Sequence, residues 1–208
     1  YQTPSQDICI RQCCMRDGHG SVTIGSEMAG GVKNLIVKDC LFQNTDRGLR
    51  IKTRRGRGKD AVVEGILFDH IRMDHVMTPF VVNSFYYCDP DGHTEYVKTK
   101  EPLKVDERTP QIRSLTFRNI QAENCHVAAA FLYGLPEQKI GQVKMEHIRV
   151  TYAPDAKADI PAMMEGVEPM AKQGIYINNV NNLILNDVSV EGQDGAAITL
   201  ENIEQLES

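Results

Sequence analysis

No stretch of these 208 residues is apolar for long enough to cross a membrane, and no charged segment followed by an apolar one marks a secretion signal. The chain lacks an initiating methionine and opens on Tyr1 in a polar loop. The expectation is that it is truncated at its N-terminus and starts inside a longer protein, which leaves localisation open. None of the spacings among Cys9, Cys13, Cys14, Cys40, Cys88 and Cys125 fits a zinc site, and a chain of this size does not need disulfide staples. Free thiols lean towards a reducing compartment. Positive charge is not in surplus either: 28 carboxylates face 23 lysines and arginines, for a net charge of −5. Nucleic acid is therefore not expected as a partner, and neither is a membrane.

Against that acidic average, six cations crowd between Arg47 and Arg57: Arg47, Arg50, Lys52, Arg54, Arg55 and Arg57. A basic patch on an acidic chain suits a small or extended anionic ligand.

The chain also repeats itself. Six segments align without gaps: Ile8–Met15, Leu35–Phe42, Ile66–Met73, Leu115–Ala122, Val143–Val150 and Leu183–Val190. In each, positions one, three, six and eight are apolar or small and position five is polar. The third column reads Ile10, Val37, Phe68, Phe117, Met145, Leu185; the sixth reads Cys13, Cys40, Ile71, Ile120, Ile148, Val188. Like stacks on like, as neighbouring coils of a solenoid require. Cys13 and Cys40 then read as reduced interior thiols in place of Ile or Val. The fifth column, Gln12, Asp39, His70, Asn119, His147 and Asp187, reads as a turn, so His70 and His147 are turn residues and not bases.

The repeats start 27, 31, 49, 28 and 40 residues apart. An interval of 27 to 31 residues fits one coil of a parallel β-helix, and the longer ones imply loops inserted at 88–110 and 153–173. A second strand follows each repeat: 21–25, 48–53, 80–84, 128–133, 174–178 and 196–201. The expected fold is all-β, a right-handed parallel β-helix of about six coils forming a single domain over 1–208. An antiparallel sandwich would need hairpin turns and would show no such columns.

Val22 and Leu49 keep the 27-residue interval, so the strand after His19 and the strand of Arg50 stack on adjacent coils. With Val22, Ile24, Leu49 and Ile51 pointing inward, Arg50 and Lys52 point outward together, and His19 joins them if its strand extends back that far. Two cations on a rigid strand suit a carboxylate or sulfate on a sugar. Arg54, Arg55 and Arg57, in a glycine-rich turn, read as solvated surface charges. Tyr86 and Tyr87, at the start of the first insertion, are candidates for stacking on a sugar face.

Gly18-His19-Gly20, followed by Arg50-Ile51-Lys52 on a later second strand, resembles glycoside hydrolase family 28, the polygalacturonases. The segments IGSEMAGGV, TDRGLRIKTRRGRG and FYYCDPDG resemble its bacterial, often exo-acting, branch. The resemblance implies a pectin-lyase-like solenoid that hydrolyses α-1,4 links between galacturonates with inversion and without a metal or other cofactor. It implies that His19 neighbours the acid and water-activating groups and that Arg50 and Lys52 bind the galacturonate carboxylate. The family's paired aspartates lie in Asn-Thr-Asp and Asp-Asp motifs before the Gly-His-Gly, and such a pair is what inverting hydrolysis requires. Upstream of His19 this chain offers only Asp7 and Asp17, in neither motif. Asn44-Thr45-Asp46 spells the first motif in the wrong place and reads as coincidence, and Asp89 and Asp91 read as turn chemistry. The expectation is thus of a cleft half that binds acidic sugars and hydrolyses little by itself. Two alternatives are a non-catalytic module for acidic polysaccharide and a β-helical lyase. The lyase needs an outward acidic cluster for calcium that the sequence does not show.

Overall fold

The computed structural model describes residues 2–208. In chain order its strands begin with β1 (Ser5–Arg11), β2 (Cys14–Arg16), β3 (Val22–Ile24), β4 (Val32–Gln43), β5 (Arg47–Lys52), β6 (Val62–Asp74) and β7 (Thr78–Asn83). One helical turn, α1 (Glu95–Lys98), precedes β8 (Gln111–Ile112), β9 (Ser114–Cys125), β10 (Ala128–Tyr133), β11 (Ile140–Tyr152), β12 (Gln173–Glu191) and β13 (Ile198–Glu207).

Positions three and six of the repeat are an odd distance apart, yet both face the core, which an unbroken period-two strand cannot achieve. The fifth position resolves this. Gln12, Asp39, His70, Asn119, His147 and Asp187 all have φ between 51° and 55°, so each bends its strand through the left-handed region and swaps its faces. Asn, Asp and His tolerate that region better than other side chains. In β4 the result is visible directly: Leu35 and Val37 are buried before the bend, and Cys40 and Phe42 after it. A second left-handed column, Asp17, Asn44, His75 and Asn124, turns the chain towards the next strand.

The strands pair in parallel with the register that the columns require. Ile8 lies beside Leu35, Leu35 beside Ile66, Ile66 beside Leu115, Leu115 beside Val143, and Val143 beside Leu183. The second strands form their own ladder, β3 to β5 to β7 to β10 to the first part of β12, and β12 runs on into the first ladder. The two ladders enclose a core that includes Phe42, Phe68, Phe80 and Phe117. The Phe80 and Phe117 rings lie 4.8 Å apart. The fold is a parallel β-helix.

All six cysteines are free. Cys40 and Cys125 are buried, but Cys13, expected inside, is exposed. Its strand breaks there between β1 and β2, and among the described residues β1 pairs with β4 alone.

The segments 84–110 and 153–172 lie between strands and fold onto the outer face of the second ladder. Asn83 Nδ2 donates to the Met163 carbonyl at 2.9 Å, and the Tyr87 N–H donates to the same oxygen at 3.3 Å. The walls of the site come from this contact.

Candidate functional site

Four of the six clustered cations hold loops in place. Arg55 is buried, its guanidinium paired with Glu137 at 2.6 Å and donating to the carbonyls of Tyr96, Thr99 and Glu101. Arg54, also buried, reaches Asp91 at 2.9 Å and Asp89 at 3.5 Å. Arg57 donates to Ser26 Oγ at 3.2 Å and lies 3.4 Å from Glu27. The reading of these three as solvated charges is therefore corrected: they pin the first insertion and the 26–27 turn, and burial obliges Arg54 and Arg55 to find partners. Arg47 does the same for the second insertion, donating to the carbonyls of Ile160 and Pro161 at 2.5 and 3.0 Å.

Arg50 and Lys52 are left. Among the described residues, neither is paired with a carboxylate. Both stand over the ring of buried Tyr86, Lys52 Nζ at 4.9 Å and the Arg50 guanidinium carbon at 5.9 Å from its centre. Arg50 Nη2 also lies 3.2 Å from Met163 Sδ. Burial, and then the neighbouring Arg50 charge, hold Lys52 below the usual lysine pKa. Two cations kept close without a counter-charge cost energy that an anionic ligand would recover. Burial, and then the Cys88 thiol, push the Tyr86 hydroxyl up, so the ring stays neutral and polarisable under the two cations. Tyr87 lies apart, its ring 4.6 Å from that of His93, which is bonded to Glu165 at 2.8 Å.

His19 falls one coil before Arg47, and its side chain is 92% exposed. Its Nδ1 meets Asp46 Oδ2 at 2.5 Å, and the Asp46 N–H donates to the Gly18 carbonyl at 3.0 Å. Asp46 orients the imidazole from the next coil. Arg47 Nη1, 4.0 Å from the same carboxylate, stands between this pair and Arg50. Gly20 keeps the approach open, because a Cβ there would lie 2.4 Å from Thr23 Oγ1 and 3.7 Å from Arg50 Cβ. Reasoning from the sequence missed Asp46 and Met163. The 27-residue interval, applied to His19, points to Asp46; nothing in the sequence points to Met163.

The outer ladder of this parallel β-helix thus carries an exposed histidine and two cations without a carboxylate partner among the described residues. The chain belongs to glycosyl hydrolases family 28, whose model matches residues 2–166. It is 27% identical to a probable polygalacturonase of Vitis vinifera over 179 residues, which cover 81% of this chain and 33% of that protein. It is 30% identical to a polygalacturonase of Prunus persica, over 71% of this chain and 36% of the relative. An exo-poly-alpha-D-galacturonosidase of Dickeya chrysanthemi is 27% identical over 59% of this chain and 20% of its own length. The chain thus spans about a third or less of these curated relatives. The crystal structure of a hyperthermoactive exopolygalacturonase from Thermotoga maritima superposes with a TM-score of 0.59 at 20% identity, over 98% of this chain and 35% of that one. That likeness concerns the fold alone.

Proposed function

We propose that this chain carries the uronate-gripping half of a polygalacturonase cleft, serving hydrolysis of α-1,4 links between galacturonates in pectin. Arg50 and Lys52 receive the carboxylate of one galacturonate, and Tyr86 supports them from below. His19, held by Asp46, sets the protonation of the carboxylates that perform the inversion. The observation that carries this reading is the sorting of the six cations, in which, among the described residues, only Arg50 and Lys52 have no carboxylate or carbonyl partner. The reading adds Asp46 as a positioning residue and gives Tyr86 the role of a seat for cations, in place of a platform for sugar.

Inverting hydrolysis needs one carboxylic acid with a raised pKa and one free carboxylate, about 6.5–9.5 Å apart. Four carboxylates near this cleft, Asp46, Asp89, Asp91 and Glu27, have other partners. Asp46 holds His19, and Asp89 and Asp91 hold Arg54. The Ser26 hydroxyl holds Glu27 below the usual carboxylate range, the wrong direction for a proton donor. The chain is therefore expected to bind acidic sugars and to cleave them little, the acid and base being supplied from outside these residues.

Binding of digalacturonate, measured by calorimetry alongside reducing-sugar release from polygalacturonate, tests this. A charge-assisted pair contributes about 1.5–3 kcal/mol, so Arg50→Ala should weaken binding roughly 10- to 100-fold. Equal binding by Arg50→Ala would overturn the reading. Robust sugar release would place acid and base within the chain and make Asp46 the first position to replace.

A further inference from the structure

The outward rows of the second ladder continue past the cations. In register, Arg50 is followed on successive coils by Val81, Phe131, Tyr176 and Thr199. The second insertion crosses these rows at Val81, where Ala162 and Met164 join Val81 and Phe131 in one apolar cluster. Beyond the crossing opens a cavity of about 930 Å³, with Met164 in its wall and Met163, the neighbour of Arg50, on the other side.

Its floor is aromatic. The Phe131 and Tyr176 rings stack at 5.3 Å with 26° between their planes, and Tyr133 meets Tyr176 edge-on at 6.0 Å. The Tyr176 hydroxyl donates to Glu201 at 2.8 Å, which fixes the ring. The charges are the reverse of those in the cleft. Glu165, Glu168 and Asp194 line the cavity, against one lysine, Lys100. Lys100 Nζ lies 3.9 Å from the centre of the Phe85 ring, so its charge already has a partner. Burial, and then the Arg55 charge, lower its pKa to about 8.

We propose that this cavity is a subsite for a sugar ring without a free carboxylate, laid by its C–H face against the partly exposed Tyr176 ring, which Phe131 backs. The inference rests on the galacturonate reading of Arg50 and Lys52 and extends it along the same rows. A ring of this kind is either a neutral sugar or a uronate masked as its methyl ester. An aromatic floor suits either one, and the acidic lining disfavours a second free uronate.

Titrations followed by ligand-observed NMR, using the 208-residue chain, separate the cases. The probes are methyl α-galactopyranoside, the methyl ester of methyl α-galacturonoside, and its free sodium salt. Tyr176→Ala should weaken whichever uncharged probe binds by about tenfold, the scale of one aromatic face. Tyr176→Phe, which keeps the ring, should restore it. Binding of the ester alone would assign masked uronate; binding of both would assign neutral sugars as well. Glu168→Lys, an exposed change that does not threaten folding, should draw the free salt into the cavity about tenfold more tightly. The proposal fails if Tyr176→Ala leaves both uncharged probes unchanged, or if it weakens the free salt as much as the ester. Failure of the galacturonate reading looks different: the free salt would be indifferent to Arg50→Ala while the uncharged probes still depended on Tyr176.

Discussion

Arg55 and Arg50 are five residues apart, carry the same group, and have opposite uses. Arg55 points back under the first insertion, where its side chain and that of Glu137 are 1% and 5% exposed. Removing one partner of such a pair strands the other charge in a poorly solvated place, at a cost of about 3–5 kcal/mol. Arg55→Ala should therefore lower unfolding free energy in urea by that amount, and Arg55→Met with Glu137→Leu should recover most of it. A single variant as stable as the parent would show that water reaches the pair. Arg50→Ala, by contrast, should leave stability nearly unchanged, because among the described residues it gives up only a contact to Met163 and a distant one to the Tyr86 ring. Which cation did which was only partly legible in the sequence. Period-two alternation marked Arg50 and Lys52 as outward, and that needed nothing beyond the local strand. The partners of Arg54, Arg55 and Arg47 lie 35 to 114 residues away, in the two insertions and the turn at Glu137, none with a repeat to align, so no spacing could reveal them.

At the scale of the strand, the fold follows from one column. A left-handed residue at position five lets β4, β6, β9 and β11 bury positions one and three before the bend and six and eight after it. This is why the repeats could be read: the break in parity recurs on every coil, and Asn, Asp, His and Gln at one site signal a backbone conformation that other side chains avoid. The histidines of the column are there for their backbone. His147, with φ 53°, bonds to Asp187 of the next coil at 2.9 Å, and both side chains are more than half exposed. Replacing it by Asn should change stability by less than about 0.5 kcal/mol, while Val, which is β-branched and disfavours this region, should cost about 1–2 kcal/mol. Urea unfolding of the two variants checks this, and a Val variant as stable as the Asn variant would remove the conformational argument. Cys13 shows the limit of reading columns. Its place in the sixth column was right, but a column says nothing about whether a coil lies on both sides of it.

The whole molecule is a stack in which each coil is stabilised mainly by its neighbours, so stability should vary along it. The middle coils bury Leu49, Phe68, Phe80, Leu115, Phe117 and Met145 completely, whereas Ile8 in β1 is 36% exposed and Leu206 in β13 is 52% exposed. Among the described residues, β1 pairs with β4 alone and β13 with β12 alone. Backbone amides of β6, β9 and β10 should then exchange with solvent only through global unfolding, and those of β1 to β3 and of β13 through cheaper local opening. The gradient bears on function because the two halves of the cleft sit at different depths in it. Arg50 lies in the protected second ladder, between β3 and β7, while His19 lies before β3 and depends on Asp46 for its orientation. Digalacturonate bound at Arg50 and Lys52 should therefore slow exchange in β3 and in the 18–21 segment by more than it slows β9. Asp46→Ala should abolish that added protection and leave the protection of β6 and β9 intact. Hydrogen exchange read by mass spectrometry, with and without digalacturonate, measures both. Uniform protection from β1 to β13 would mean that the stack unfolds as one unit. The His19 segment would then be held by the whole coil, and the contact with Asp46 would not be needed to hold it.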